Sequence, residues 1–256
     1  MITLFKIINV GDHGLVPGPE VCWMRDFDKW YRLYFYSFLI KSDEEYILIN
    51  TGLPDDLRLR NEFLANWAKS DRCKFSVVEK IENVLNKIGL STDDISHVII
   101  TPIQDYTIGR INLFKKAMIY FSKKGWFSDV VNPSPSPFLN RDIYLPKYIR
   151  NYLFEEAWNR IRLLDDNDRV KELEVKWTGC HHRSSLTIKF NFENKTFCIS
   201  DSAFLMGNYE LNIPIGIAED IYECLDAYEY MKKHCDFVIP AYDPDNLKRY
   251  EKYVLK

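Results

Sequence analysis

The chain alternates short apolar blocks with polar turns. Leu33 to Ile40 is an apolar, aromatic run and Tyr46 to Ile49 is a second. The polar stretch Lys41-Ser42-Asp43-Glu44-Glu45 between them predicts a hairpin. Met1 to Lys6 reads as a strand ahead of it. Asn50-Thr51-Gly52 closes the second hairpin strand. Pro54 then opens a predicted helix through about Ser70, with Asp55 and Asp56 suited to its first turn. Val77, Val78, Ile81, Val84, Leu85 and Ile88 recur at helical spacing, so a helix is predicted from Ser76 to Ile88, with Gly89 as its stop.

Ile95 to Thr101 is the next predicted strand. A polar loop follows, then a short helix from about Ile108 and a short strand from Ala117 to Phe121. Asn132-Pro133-Ser134-Pro135-Ser136-Pro137 fits neither a helix nor a central strand and reads as a loop. A helical stretch runs from about Lys147 to Leu164, and Asp165 to Asp168 is a solvated turn. Val170–Trp177, Ser185–Phe192 and Thr196–Ser200 read as strands, Asn194-Lys195 as the turn between the last two, Glu219–Cys235 as a helix and Asp236–Pro240 as a final strand. Both halves run strands first, then strands alternating with helices, which predicts two packed sheets with helices outside.

Composition narrows the partners. The 256 residues are 46% hydrophobic with a net charge of −3, so nothing points to nucleic acid or an anionic membrane. No apolar run approaches the roughly 20 residues of a membrane span. The N-terminus lacks the basic-then-apolar pattern of a signal peptide. Six scattered cysteines form no C-x-x-C pair, so reduced, mostly buried thiols in a cytoplasmic protein are expected. An aromatic content of 15% implies a large aromatic core or an aromatic-lined pocket.

Five stretches, in order, carry a resemblance: YILINTG, ISHVIITPIQDYTIGRINLF, TGCHHRSS, FCISDSAF and VIPAYDPDNLKRY. The first is similar to a strand ending in Asp-Thr-Gly. The second is similar to the strand and loop that carry His-x-His-x-Asp-His and then Ile-Gly-Gly. The others are similar to Pro-Gly-His-Thr, Gly-Asp-Ala and Pro-Gly-His-Asp-Pro segments. Together they resemble the metallo-β-lactamase fold superfamily, within it the N-acyl homoserine lactonase-like group, over nearly the whole chain. The resemblance implies a single four-layer αββα domain spanning residues 1–256. It also implies a chemistry in which two metal ions, usually zinc, activate water against an ester, lactone or amide carbonyl.

Carried over residue by residue, that metal site is largely missing. Its first two histidines fall on Pro102 and Gln104, its aspartate on Tyr106 and the next histidine on Thr107. The last histidine falls on Tyr242 and the strand-end aspartate on Asn50. Only His181 and the bridging Asp201 remain. Proline has no side-chain donor, and neutral Gln, Thr and Tyr are poor zinc ligands. No cofactor is therefore expected. A single ion on His181 and Asp201 is the alternative, joined by Asp105, His182, Cys180 or a phenolate of Tyr106 or Tyr242. Asp105 falls on a non-ligand position and is expected to point elsewhere.

Without metals Asp201 needs another partner. An imidazolium on His181, Arg110 or Arg183 could supply it, with Arg110 preferred. His181 and Asp201, with Tyr106 or Tyr242 as proton donor or oxyanion stabiliser, form a candidate catalytic set; a structural hydrogen-bond network is the alternative. Gln104, Asp105, Thr107, His182, Asn50 and Arg110 are candidate pocket residues. His13, His97 and His234 read as structural. Trp23, Trp30, Tyr31 and Tyr34, and Tyr148, Tyr152, Phe154 and Trp158 after the Pro/Ser loop, are candidates for the pocket rim. The expected partner is a small acyl, lactone or ester-like molecule handled without zinc by a monomer or homodimer. A non-catalytic binding or scaffold protein and a one-metal hydrolase are the alternatives.

Overall fold

The computed structural model describes residues 1–133 and 140–255. Most of the predicted Pro/Ser loop therefore lies outside the described residues.

Two sheets form the centre. The larger contains β1 (Ile2–Pro17), β2 (Trp30–Ser42), β3 (Glu45–Ile49), β4 (Cys73–Val77), β5 (Ile95–Ile99), β6 (Met118–Ser122) and β7 (Ile161–Leu164), in the order β4-β1-β2-β3-β5-β6-β7. The smaller contains β8 (Asn167–Val170), β9 (Leu173–Trp177), β10 (Leu186–Phe192), β11 (Lys195–Ser200) and β12 (Phe237–Pro240), in the order β12-β11-β10-β9-β8. The hairpin β2–β3 is antiparallel, while β3, β5, β6 and β7 run parallel. In the smaller sheet only β11 and β12 are parallel.

Period-2 alternation sorts the side chains between layers. Phe5 and Ile7, Phe38 and Ile40, Ile47 and Ile49 meet Leu186, Ile188, Phe190, Phe197 and Ile199 in a core between the sheets. Their neighbours Ile8, Val10, Leu39, Leu48 and Val98 face the other way, into a second core under the outer helices. Phe5, Phe190 and Phe197 pack with ring centroids 5.0–5.6 Å apart, so much of the aromatic content is core. The layers are the predicted α/β sandwich with helices on both sides.

Several elements differ from the sequence reading. Residues 73–77 form a strand, because Cys73 and Phe75 are buried while Lys74 and Ser76 are exposed; the helix starts only at Ile81 and ends at Lys87. The helix after Pro54 begins at Arg58 and ends at Ala68. The stretch from Lys147 breaks after a few turns and finishes as β7. The predicted strand Val170–Trp177 is split, with Lys171 at φ 55° in the turn between β8 and β9. Helix Ile221–His234 is capped by Asp220, whose carboxylate accepts from the amides of Tyr222 and Glu223.

The cysteine expectation is also corrected. Cys180 bonds Cys224 and Cys198 bonds Cys235, while Cys22 and Cys73 are free and buried. Helix Ile221–His234 lies against β11 and the loop after β9, bringing Cα atoms 44 and 37 residues apart in sequence to 4.9 and 5.9 Å. Among the described residues no helix is long and apolar enough to cross a membrane.

Candidate functional site

The loops at the carboxyl ends of β5, β9, β11 and β12 converge beside a cavity of about 620 Å³. The loop after β5 begins with a cis Thr101–Pro102 peptide and turns into the short helix Asp105–Ile108. Asn50, at φ 63°, braces this loop: its amide donates to Thr101 O at 3.0 Å, and its oxygen accepts from Thr101 N at 2.9 Å. Thr107 Oγ1 reaches Pro102 O and Gln104 O, holding the turn closed. A Cβ on Gly109 would overlap Pro54, so the backbones can meet there only as glycine allows. Asn50 and Thr107, predicted as pocket residues, are scaffold behind the cavity wall.

At one end of the cavity, His181 Nδ1 lies 3.2 Å from Asp201 Oδ2. Asp201 also accepts from Ser185 Oγ at 2.6 Å and contacts Thr101 Oγ1 at 3.4 Å. Two hydroxyls and an imidazole thus replace the counter-charge expected for it. Arg110 does not: its guanidinium turns away to Asp55 and to Glu82 at 2.7 Å. Arg183 is held by Glu219 at 2.8 Å and by Glu223. Burial and the neighbouring His182 push His181 down to about 4, so the imidazolium alternative gives way to a neutral ring. With Nδ1 on Asp201, its Nε2 is left for the cavity.

His181 packs against His182 with centroids 4.1 Å apart and edge-on to Phe204 at 4.8 Å. His182 lines the cavity, with Nδ1 3.5 Å from Glu219. Tyr242 stands edge-on to His181, Phe35, Tyr106 and Phe204. Its phenol is 4% exposed and makes no hydrogen bond of standard geometry. Tyr106 stacks on Phe35 at 4.6 Å. Burial raises both phenols well above their ordinary range, so they remain donors rather than phenolates.

The other end is built on a residue absent from the sequence reading. Arg60 is 6% exposed and lines the cavity. Its Nε and Nη2 hold Asp105 at 3.1 and 2.5 Å, and Nη2 also donates to Gln104 Oε1 at 3.0 Å. Asp105, a candidate pocket residue, instead points at Arg60 and does not line the cavity; Gln104 does. Arg60, Phe63, Leu64 and Trp67 all line the cavity at helical spacing i, i+3, i+4, i+7. A charged residue on that stripe was the legible signal.

His13, read as structural, also lines the cavity; burial takes it down to about 3 as it packs edge-on to Phe75 at 4.6 Å. Glu20 faces the cavity with Trp67 Nε1 donating to it at 2.8 Å, and burial raises it to about 7. The rim aromatics differ from expectation. Leu33 and Phe35 face inward from β2, and alternation turns Tyr34 and Tyr36 to the other side. Trp30 lies over Arg72, and Tyr31 bonds Asp26. Tyr148 and Tyr152 donate to backbone carbonyls, and Phe154 and Trp158 stack outside; Tyr144 is the lining residue from that region.

The donors present do not fit the two-ion centre implied by the resemblance. Among the described residues no group of three or more His, Cys, Asp or Glu is arranged to hold an ion. Of the side chains that could complete a one-ion site, Cys180 is in a disulfide, Asp105 is on Arg60, both phenols are protonated, and His182 lines the cavity with its Nδ1 3.5 Å from Glu219. No step is routed through a metal here.

No protein-family model and no curated protein matches the chain. Solved structures do match. One is an N-acyl homoserine lactone hydrolase with the product N-hexanoyl-L-homoserine at its catalytic metal centre, at 15% identity and TM-score 0.76, covering 97% of this chain and 96% of that one. The B. thuringiensis protein AiiA, as a mutant with N-decanoyl-L-homoserine at the active site, matches at 17% and 0.77, covering 97% and 96%. AidC, a dizinc quorum-quenching lactonase, matches at 14% and 0.62, covering 94% and 91%. The chain therefore has the metallo-β-lactamase fold in the form these lactonases share.

Proposed function

We propose that the cavity receives a small acyl, lactone or ester-like molecule and that the chain acts on it without the metal pair of its structural neighbours. The carrying observation is the neutral His181, fixed through Nδ1 by Asp201 and presented on the cavity wall. Orientation of an imidazole by a buried carboxylate fixes its tautomer and frees Nε2 to accept a proton. Water attacking the acyl carbon would give its proton to Nε2. The protonated ring would then return it to the leaving alkoxide, releasing an acid and an alcohol. In this reading the Tyr106 and Tyr242 phenols, whose rings lie beside one another and, for Tyr242, beside His181, would donate to the developing oxyanion.

A second reading, binding without turnover, draws on the same imidazole. A base held at about 4 accepts protons weakly near neutral pH. One experiment separates the two. Chelator-treated protein is incubated with p-nitrophenyl esters and N-acyl lactones, with and without added zinc, and products are followed by chromatography. Turnover that survives the chelator and disappears in His181→Gln supports the first reading. Saturable binding without products supports the second. Turnover only after zinc is added overturns both.

A further inference from the structure

We propose that the cavity selects an apolar molecule ending in a carboxylate, whose oxygens are taken by Arg60 Nη1 and the phenols of Tyr106 and Tyr242. The inference rests on the proposed use of the cavity as a small-molecule site, and it names the ligand's head group.

Arg60 offers five N–H donors. Nε and Nη2 are spent on Asp105 and Gln104, while Nη1 has no hydrogen-bond partner among the described residues although the side chain is almost fully buried. Tyr242 Oη is buried beside the Tyr106 phenol and makes no hydrogen bond of standard geometry. Tyr106 lies between them, with the Arg60 guanidinium 5.9 Å from its ring and the Tyr242 ring 6.0 Å away. This wall of the cavity therefore carries a guanidinium and two phenol rings side by side. Donors left without acceptors are costly, so on this wall a group that supplies acceptor oxygens is favoured, whereas the lining's unpartnered acceptors, Asp129 Oδ2 and His181 Nε2, would take a donor.

A carboxylate fits better than a neutral carbonyl. Its two oxygens present about four lone-pair sites, enough for all three donors, and charge-assisted bonds are about twice as strong. Asp105 fixes the guanidinium plane before any ligand arrives, so little ordering is lost on binding. The cavity's own carboxylates are muted. Burial raises Glu20 to about 7 and raises Asp129, and Glu219 is occupied by His182 and Arg183. The remaining wall, from Leu33 and Phe35 to Phe63 and Phe75, suits an apolar body.

Titration calorimetry on the full chain at pH 6.0, where octanoate is ionised and Glu20 is still protonated, with octanoate, octanamide and octylamine tests the assignment. Octanoate should bind saturably and at least roughly tenfold tighter than octanamide, with octylamine weakest. Tyr242→Phe removes a hydroxyl whose side-chain neighbour is the Tyr106 phenol. It should weaken octanoate binding roughly tenfold and octanamide binding less. Arg60→Lys should weaken octanoate further. Equal affinity for acid and amide, preference for the amine, no octanoate binding, or octanoate affinity unmoved by both variants would overturn the proposal. Ester turnover without carboxylate preference defeats this inference alone. Carboxylate binding without ester turnover defeats the catalytic reading and leaves this one standing.

Discussion

Asp201 Oδ2 receives both His181 Nδ1, at 3.2 Å, and Ser185 Oγ, at 2.6 Å. One carboxylate oxygen thereby ties the loop after β9 to the end of β11 and decides which imidazole nitrogen is left for the cavity. His181 is expected to be neutral and protonated on Nδ1 at pH 7. Long-range ¹⁵N–¹H spectra of the imidazoles measure this directly; a protonated Nε2 with a bare Nδ1 would contradict it. Asp201→Asn should release the tautomer. Where turnover is observed, it should fall by roughly 10²–10⁴-fold.

Acid should unfold the protein through its buried imidazoles. His181 is lowered to about 4 and His13 to about 3, both from about 6.5. The unfolded chain therefore binds more protons below pH 6.5, and stability present above that pH is lost as pH falls toward 4. Urea midpoints from pH 8 to 4 check the slope, and His13→Gln should make the acid limb shallower by about one proton. Glu20 acts in the opposite sense. Raised to about 7 from 4.5, it holds a proton that the unfolded chain releases earlier, so stability is lost as pH rises between those values. Glu20→Gln should flatten that limb.

Arg60 and Asp105 are a buried pair in which each partner depends on the other. Arg60→Met strands the Asp105 carboxylate and should cost about 3–5 kcal/mol in urea unfolding. The double substitution Arg60→Met with Asp105→Leu removes both charges and should recover most of that loss. Equal instability of the single and double variants would show that the two side chains are not energetically coupled.

The two disulfides staple both ends of helix Ile221–His234. Intact mass under non-reducing conditions should be about 4 Da below that of the reduced chain. The loops of 44 and 37 residues correspond to roughly 4 kcal/mol each by chain entropy, with a smaller joint effect because they overlap. Cys180→Ser with Cys224→Ser should lower the melting temperature and loosen the His181 loop. Cys22→Ser should do neither.

What the sequence determined by itself was local or periodic. Alternation in β2, β3, β10 and β11 specified which residues enter the core between the sheets, because period-2 side chains have only two faces to choose from. The order of the five motifs specified the sandwich, and the chemistry of Pro102, Gln104, Tyr106, Thr107 and Tyr242 already argued against a two-metal centre. Tertiary structure alone decided the rest. Arg60 lies 45 residues before Asp105 and Cys180 lies 44 before Cys224, and no local pattern encodes such pairings. Asp201 found hydroxyls on Ser185 and Thr101 while Arg110 was drawn to Asp55 and Glu82. Which of several reachable partners a buried charge takes depends on side-chain direction in three dimensions, and its position in the sequence does not record that direction.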